Sequence, residues 1–310
     1  MYKNELNLLR IPSPCDQLPL ALAIMEPSGP AVGIVQLVHG MAEHKERYFD
    51  FMTFLAAHGY ISAIHDHRGH GESVRDPAHL GYFYTDDASA LVDDAFQVTA
   101  YLKDQYGPLP LFLFSHSMGT LVARNYLKKY EAEVDRVVLC GPPTENKWVD
   151  LALLLAKGTG LCYGPYQPNS FLNRLSVGPY NKGYAGKNEW ICSDPALVAA
   201  YNADPLCGFL FTTNGYLHLF QLLKQAFQRQ DWHPQNRALP ILLIAGEEDP
   251  VIQSQRKWTA LKQFLRSVGY THLTSKRYPG KRHELLNEIG KEAIYQDVLA
   301  FLRSEDVEGM

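Results

Sequence analysis

The fold of this chain is decided by the stretch Leu111-Phe112-Leu113-Phe114-Ser115-His116-Ser117-Met118-Gly119-Thr120. Its first four residues are apolar and predict a short buried strand, and the residues after Gly119 follow a helical pattern. A serine between the two, here Ser117, lies on a tight turn that lifts its hydroxyl clear of the sheet. The free N–H groups at the start of the helix can stabilise a developing oxyanion. The stretch therefore predicts a nucleophilic serine.

The usual form of this turn is Gly-x-Ser-x-Gly, and Ser115 takes the place of its first glycine. One small residue replaces another there, and close packing can accept the exchange. The pentapeptide alone is a weak signal because Ser and Gly are common in turns. The strand before it and the helix after it make the signal specific.

Strands and helices alternate along most of the chain. Apolar runs predict strands at 18–25, 32–38, 60–65, 134–139 and 241–245, and residues 273–278 are predicted as a last strand. Amphipathic spacing predicts helices at 46–58, 88–102, 255–268 and 286–302. Repeated strand–helix units predict an α/β fold, with a mostly parallel central sheet and helices on both faces.

The alternation stops between residues 144 and 237, which we interpret as a helical cap insertion in a core formed by 1–143 and 238–310. The insertion is rich in Tyr, Phe and Leu, and its apolar stripes predict a pocket for an acyl chain. The alternative is that these side chains only dock the cap onto the core. The candidate acyl-binding residues are Trp148, Leu151, Leu154, Tyr216 and Phe220.

Composition narrows the function classes. The 310 residues carry a formal net charge of −4, which offers no basic surface for nucleic acid. Five cysteines without a Cys-x-x-Cys pair indicate neither a disulfide framework nor a zinc site, and they favour a reducing compartment. We find no nucleotide-binding glycine motif, no signal peptide and no membrane span. We therefore expect a cytoplasmic protein without cofactor or metal, in at most transient contact with a membrane.

A nucleophilic serine needs a base and an acid that orients the base. Asp249 follows the strand at 241–245, and His283 follows the strand at 273–278. In a parallel sheet, both would lie at the carboxyl edge beside Ser117. The order Ser, Asp, His along the chain is that of α/β-hydrolases. Asp66, after another strand, is a competing acid, whereas His272 begins a strand and so lies at the wrong edge.

An oxyanion hole requires two N–H donors. We predict that the backbone N–H of Met118, directly after the nucleophile, is the first donor. We predict that the backbone N–H of Met41 is the second donor. Met41 follows His39-Gly40 in the loop after the strand at 32–38, where glycine lets the chain turn its next N–H inward. A plain turn at His39-Gly40 is the alternative.

Residues 66–73, Asp-His-Arg-Gly-His-Gly-Glu-Ser, resemble the D-x-R-G-H-G-x-S loop of the monoacylglycerol lipase and lysophospholipase group of α/β-hydrolases, also called serine aminopeptidase S33-like. Residues 39–44, 115–119, 246–251 and 280–284 match that group in the same order. The resemblance covers essentially the whole chain. It implies that Asp66 and Arg68 are structural and tie their loop to the oxyanion turn.

The resemblance also implies hydrolysis of a carboxylic ester through an acyl-enzyme, most simply a small-molecule ester or mono-acylated lipid. A general carboxylesterase and an aminopeptidase remain alternatives. An apolar cap without a cluster of acids to bind an amine favours the lipid. A hydrolase-fold protein that binds without catalysis is the alternative from a different class.

Overall fold

The computed structural model describes residues 5–304, which form one mixed sheet of eight strands in the order β1-β2-β4-β3-β5-β6-β7-β8. The two contacts of β2, with β1 and with β4, are antiparallel, and the other neighbours are parallel. The strands are β1 (Glu5–Pro12), β2 (Pro19–Glu26), β3 (Gly33–Val38), β4 (Tyr60–His65), β5 (Leu111–His116), β6 (Arg136–Cys140), β7 (Ile241–Gly246) and β8 (Leu273–Tyr278).

Nine α-helices accompany the sheet within the same residues. They are α1 (Phe49–Ala57), α2 (Ser89–Tyr106), α3 (Met118–Tyr130), α4 (Val149–Tyr163), α5 (Ser170–Ser176), α6 (Pro195–Ala203), α7 (Thr213–Ala226), α8 (Gln255–Ser267) and α9 (Lys291–Leu302). Helices α2, α3 and α8 pack on one face of the sheet, and α1 and α9 pack on the other. The predicted α/β architecture is confirmed.

The apolar runs of the sequence bury both faces of the sheet. Every residue of β3, β4, β5 and β7 is buried. Along β3 the side chains alternate between two cores: Ile34 and Val38 join the core under α2 and α3, and Val35 and Leu37 join the core under α1 and α9. This two-sided burial is why the strands read as continuous apolar runs.

Two elements differ from the sequence prediction. We did not predict β1, an edge strand whose side chains are mostly exposed and therefore lack a strong apolar pattern. The predicted helix at 286–302 is interrupted: residues Leu285–Asn287 form a short 3₁₀ turn, and α9 begins only after Gly290. Gly290 adopts a φ of 74°, a left-handed conformation that breaks a helix.

Helices α4 to α7 lie between β6 and β7, in the segment predicted as the cap insertion. Helix α7 packs against the core helix α3, where the Asn125 side chain donates to the Leu222 carbonyl at 3.1 Å and Lys128 donates to the Gln225 carbonyl at 2.5 Å. The division of the chain at residues 144 and 237 remains a prediction. Among residues 5–304, we find no helix that is both long and apolar enough to cross a membrane.

Candidate active site

Ser117 lies on a sharp turn between β5 and α3, with φ 51° and ψ −119°. A residue other than glycine rarely adopts this backbone conformation, and the surrounding packing holds Ser117 in it. Gly119 is required because a Cβ at that position would lie 2.2 Å from the Val38 carbonyl oxygen. Ser115 fits in place of the usual glycine, since its hydroxyl donates to the Val138 carbonyl at 3.0 Å.

The structure brings Ser117, His283 and Asp249 together in one hydrogen-bonded line. The Ser117 hydroxyl lies 2.8 Å from His283 Nε2, and His283 Nδ1 lies 2.9 Å from Asp249 Oδ2. Asp249 Oδ1 accepts from the Val251 N–H at 2.9 Å, which fixes the carboxylate. With a proton on Nδ1, His283 donates to Asp249, and its unprotonated Nε2 is free to accept the serine proton. Both Asp249 and His283 are buried.

The residue whose backbone lies next to the Ser117–His283–Asp249 line must be glycine. Gly141, directly after β6, has φ 56°, and a Cβ there would lie 3.0 Å from the His283 ring and 3.3 Å from Asp249 Oδ2. The three polar side chains and Gly141 all follow the carboxyl ends of strands, where open α/β sheets place their sites. The rival base His272 is exposed and hydrogen-bonded to the Ala238 carbonyl at the opposite end of β8.

The loop after β3 lies against the nucleophile. A Cβ on Gly40 would stand 3.1 Å from Ser117 Cβ and 2.6 Å from Glu43 Oε1, so the approach requires glycine. The Gly40 N–H already donates to Glu43 Oε1 at 2.6 Å. The predicted oxyanion donors Met41 and Met118 line the same cavity as Ser117.

Glu43 organises this loop, and the sequence analysis did not identify it. Its carboxylate accepts from Tyr48 Oη at 3.0 Å and from Arg47 at 2.7 Å, and it lies 3.1 Å from Nδ1 of His116. Burial raises the pKa of Glu43, but the hydrogen bond from His116 and the charge of Arg47 outweigh it and hold that pKa well below the usual range. An ionised carboxylate is therefore buried beside Gly40.

His116 and Arg47 connect this carboxylate to the loop of the base. His116 Nε2 lies 3.3 Å from the His283 carbonyl, and hydrogen bonding to Glu43 raises the His116 pKa against the effect of burial. Arg47 donates to both Glu284 oxygens, at 2.8 and 2.5 Å. The i, i+4 spacing of Glu43 and Arg47 was the available signal, but Glu284 lies 237 residues from Arg47.

The loop of residues 66–73 is hydrogen-bonded to the segment that contains the oxyanion turn. Asp66 is buried and accepts from the backbone N–H of Lys45 at 2.8 Å and from its ammonium at 2.9 Å, which ties it to the segment after the oxyanion turn. Arg68 does not reach that turn: it pairs with Asp94 of α2 at 2.7 Å. The connection to the turn comes from His67, whose backbone N–H donates to His39 Nε2 at 2.9 Å.

Four buried histidines, His39, His65, His67 and His70, form the layer behind the oxyanion turn, with ring centroids 4.3 Å apart for His39 and His67. Burial lowers the pKa of all four, to about 4 for His65 and about 3 for His67 and His70. The rings are therefore neutral at physiological pH and act as polar packing.

A cavity of about 770 Å³ opens above Ser117 and His283. Of the predicted acyl-binding residues, Trp148, Leu151 and Phe220 line it. Two others lie elsewhere. Leu154 points outward with 66% of its surface exposed, and Tyr216 is fully buried, donating to Asn173 Oδ1 at 2.8 Å.

Further lining residues were not among the named candidates. Some come from irregular segments, and Leu155, Leu219 and Leu223 belong to the apolar stripes that predicted the pocket as a whole. Trp190 is the clearest, with its ring centroid 5.1 Å from that of His283. The others include Leu155, Ile191, Phe209, Leu219, Leu223 and Val251.

A mostly parallel sheet with helices on both faces, a serine on the turn after β5, and a histidine and aspartate after β8 and β7 define an α/β-hydrolase. The chain belongs to the serine aminopeptidase S33 family, whose model matches residues 29–290.

Among curated relatives, the chain is 28% identical to a monoacylglycerol lipase of Mycolicibacterium smegmatis over 88% of both chains. It is 26% identical to the monoglyceride lipase of Homo sapiens, over 85% of this chain and 79% of the relative. Among solved structures, a thermostable carboxyl esterase from Bacillus coagulans, in complex with glycerol, superimposes with a TM-score of 0.88 at 26% identity, over 96% of this chain and 98% of the esterase.

Proposed function

We propose that this protein hydrolyses carboxylic esters of mono-acylated lipids, with Ser117 as nucleophile, His283 as general base and Asp249 as the acid that orients it. The observation that carries the proposal is the hydrogen-bonded line of these three side chains at the floor of a cavity with an apolar wall. The relatives named monoacylglycerol lipase and carboxyl esterase support the same reaction class.

In the proposed reaction, His283 Nε2 takes the Ser117 proton as the hydroxyl oxygen attacks the ester carbonyl. The oxyanion is stabilised by the N–H groups of Met41 and Met118. Collapse of the tetrahedral intermediate expels the alcohol, which receives its proton from His283 and leaves an acyl-serine. Water, deprotonated by His283, then attacks the acyl-serine, and the fatty acid is released as the Ser117 oxygen takes the proton back from His283.

The cavity wall supports an acyl chain as the bound group. Its apolar lining comes from α4 and α7 on one side and from the segment around Trp190 on the other. Helices α4 and α5 and the segments beside them also expose large apolar side chains, some of which line the cavity, an arrangement suited to contact with a lipid surface. These exposed residues are Trp148, Leu151, Leu154, Leu161, Tyr163, Tyr166, Phe171 and Leu175.

The charges around the cavity favour a lipid over an aminoacyl substrate. Among the described residues, the acids that line the cavity are Glu43 and Glu284, and Arg47 pairs with both. An aminopeptidase needs a carboxylate that is available to the substrate ammonium. The neutral amides of Asn146, Asn173, Asn181 and Asn188 also line the cavity and suit the hydroxyls of a glycerol group.

A panel of substrates tests the proposal. We expect kcat/KM for monoacylglycerols to rise with acyl length until the cavity is full, because each buried methylene contributes about 0.8 kcal/mol at most. Aminoacyl amides should be cleaved slowly or not at all. Faster cleavage of aminoacyl amides than of long-chain esters would contradict the substrate assignment and leave the Ser117 mechanism intact.

Labelling with a fluorophosphonate separates the enzyme from a protein that only binds. Ser117 should be modified stoichiometrically in the native chain and not in Ser117→Ala. Binding of lipid without labelling or turnover would instead support a hydrolase-fold binding protein.

A further inference from the structure

A histidine, an aspartate and a cysteine meet where the loop after β3 touches the insertion. They are His44 of the core, with Asp204 and Cys207 of the segment that follows α6. Their ligand atoms all lie within 4.8 Å of one another. No sequence pattern predicted this cluster, because His44 and Asp204 are separated by 160 residues.

The donor set is that of a transition-metal site. Imidazole, thiolate and carboxylate are the groups that bind Zn²⁺ in proteins, at about 2.0–2.3 Å. His44 Nε2 and Asp204 Oδ2 are 2.8 Å apart and share one proton between them. The Cys207 Sγ lies within 4.8 Å of a ligand atom of each of these two residues. A metal ion in place of these protons would need only small side-chain movements, since all three side chains already converge.

The other nitrogen of His44 is held as it is in zinc sites. His44 Nδ1 lies 2.5 Å from Glu46 Oε2. A carboxylate that accepts from the second ring nitrogen fixes the tautomer and orientation of a metal-binding histidine. The Glu46 and Asp204 side chains are 39% and 32% exposed, whereas that of His44 is 9% exposed, so an ion can enter from solvent toward a buried ligand.

We propose that His44, Asp204 and Cys207 bind one divalent transition-metal ion of the zinc class, with Glu46 as the positioning residue for His44. On binding, the proton between His44 and Asp204 and the thiol proton of Cys207 pass to solvent. Three protein ligands leave a fourth position for water.

The site joins the insertion to the oxyanion loop. Gly208, next to Cys207, donates its N–H to the Ala42 carbonyl at 2.9 Å, and Tyr201 of α6 donates to the same carbonyl at 3.1 Å. Ala42 follows Met41, the predicted oxyanion donor. A bound metal would therefore cross-link the insertion to this loop and stabilise their contact.

Cobalt is the probe, because Co²⁺ substitutes for zinc and its thiolate bond absorbs in the near ultraviolet. The exposed Cys15 and Cys162 are replaced by serine in every variant, so that they cannot contribute. We expect one equivalent of Co²⁺ to give a thiolate-to-metal band that Zn²⁺ displaces. Zn²⁺ should also raise Tm by a few degrees.

Three variants and a control decide the assignment. Cys207→Ser should abolish the band, and Asp204→Asn, which keeps the acceptor for the Leu206 N–H, should weaken binding strongly. Glu46→Gln should keep the band while lowering affinity by roughly 10- to 100-fold. The matched control is Cys192→Ser, a buried cysteine of the same apolar cluster, which should bind like the parent.

The proposal is overturned if the parent shows no thiolate band, or if the band persists in Cys207→Ser and disappears in Cys192→Ser. Circular dichroism of each variant shows whether it is folded. If Cys207→Ser does not fold, the Asp204→Asn and Glu46→Gln affinities decide, and affinities equal to the parent in both overturn the site.

Discussion

The two sides of the cavity differ in polarity and in exposure to solvent. The floor, supplied by the core, consists of buried polar groups such as Glu43, Asp249 and His283, exposed by 2%, 4% and 3% and each held by hydrogen bonds. The wall, supplied by the insertion, is lined mainly by apolar side chains, and the insertion also exposes apolar side chains outside the cavity, such as Leu154 and Leu161, exposed by 66% and 90%. The predicted catalytic groups therefore lie in the densely hydrogen-bonded part, and the proposed acyl-chain pocket lies in the apolar part.

The largest break in this comparison comes from the floor. Ser117→Ala should lower kcat by roughly 10⁴- to 10⁶-fold, because the covalent route is lost while binding persists. The assay is hydrolysis of a p-nitrophenyl ester under saturating conditions. Ser115→Ala, two residues away, is the control and should stay within a few fold of the parent. Near-parental turnover in Ser117→Ala would falsify the assignment of the nucleophile.

Glu43 tests whether the floor depends on its buried charge. Glu43→Gln removes the carboxylate that holds the Gly40 N–H and pairs with Arg47, and it leaves Arg47 short of one partner. We expect kcat to fall by roughly 10²- to 10³-fold, as when an oxyanion donor is lost, and thermal stability to fall with it. The exposed acid Glu247, changed to Gln, serves as control. Full activity in Glu43→Gln would mean that the loop holds its position without the charge.

On the wall, neighbouring leucines of α4 separate the cavity from the surface. Leu155 lines the cavity, whereas Leu154 faces solvent. Leu155→Asp should lower kcat/KM for dodecanoyl esters roughly 10- to 50-fold relative to butanoyl esters, the cost of losing two or three methylene contacts at about 0.8 kcal/mol each. Leu154→Asp should leave this ratio unchanged. Equal losses on both esters in Leu155→Asp would indicate general disruption of the insertion.

The buried histidines behind the floor predict acid sensitivity. The pKa of His65 is lowered to about 4, so between pH 6.5 and 4 the unfolded chain binds a proton at His65 that the folded chain does not. Stability is therefore retained above about pH 6.5 and lost as the pH falls toward 4. His65→Leu should reduce the pH dependence of the unfolding free energy by about 1.4 kcal/mol per pH unit in that window.

The measurement is urea unfolding at a series of pH values. Replacement of the exposed His272 by Ala should leave the slope as in the parent. An unchanged slope in His65→Leu would show that His65 is protonated in the folded protein as well and would contradict this prediction.

The smallest expected effect concerns the exposed apolar side chains of α4. Leu161 is 90% exposed near the end of α4, and Leu161→Ser should weaken binding to phosphatidylcholine vesicles several-fold, about 1 kcal/mol. Hydrolysis of a short, water-soluble ester should not change. Val32, 57% exposed at the amino end of β3 and away from the site, gives the control Val32→Ser. Equal vesicle binding by both variants would contradict a role for Leu161 in membrane binding.

The sequence predicted the floor better than the wall, for a physical reason. Ser117 and Asp249 each follow a strong apolar strand, His283 follows the more polar edge strand β8, and the topology of a parallel sheet gathers such positions at one edge. The Arg47–Glu284 pair has no local signal, because its partners meet only after folding. In α4 the apolar residues surround the helix, so periodicity could not separate Leu155 from Leu154.

Helix α7 has two roles that a description by domains would separate. It packs on α3 in the place of the crossover that links the parallel neighbours β6 and β7, and its Phe220 also lines the cavity. Excision of residues 144–237 would therefore remove a structural helix of the core along with the acyl-chain wall. An engineer who wishes to exchange specificity between relatives should cut before α7, at the Thr212 N-cap, and transplant α4 to α6 alone. What is modular in this enzyme is shorter than its insertion.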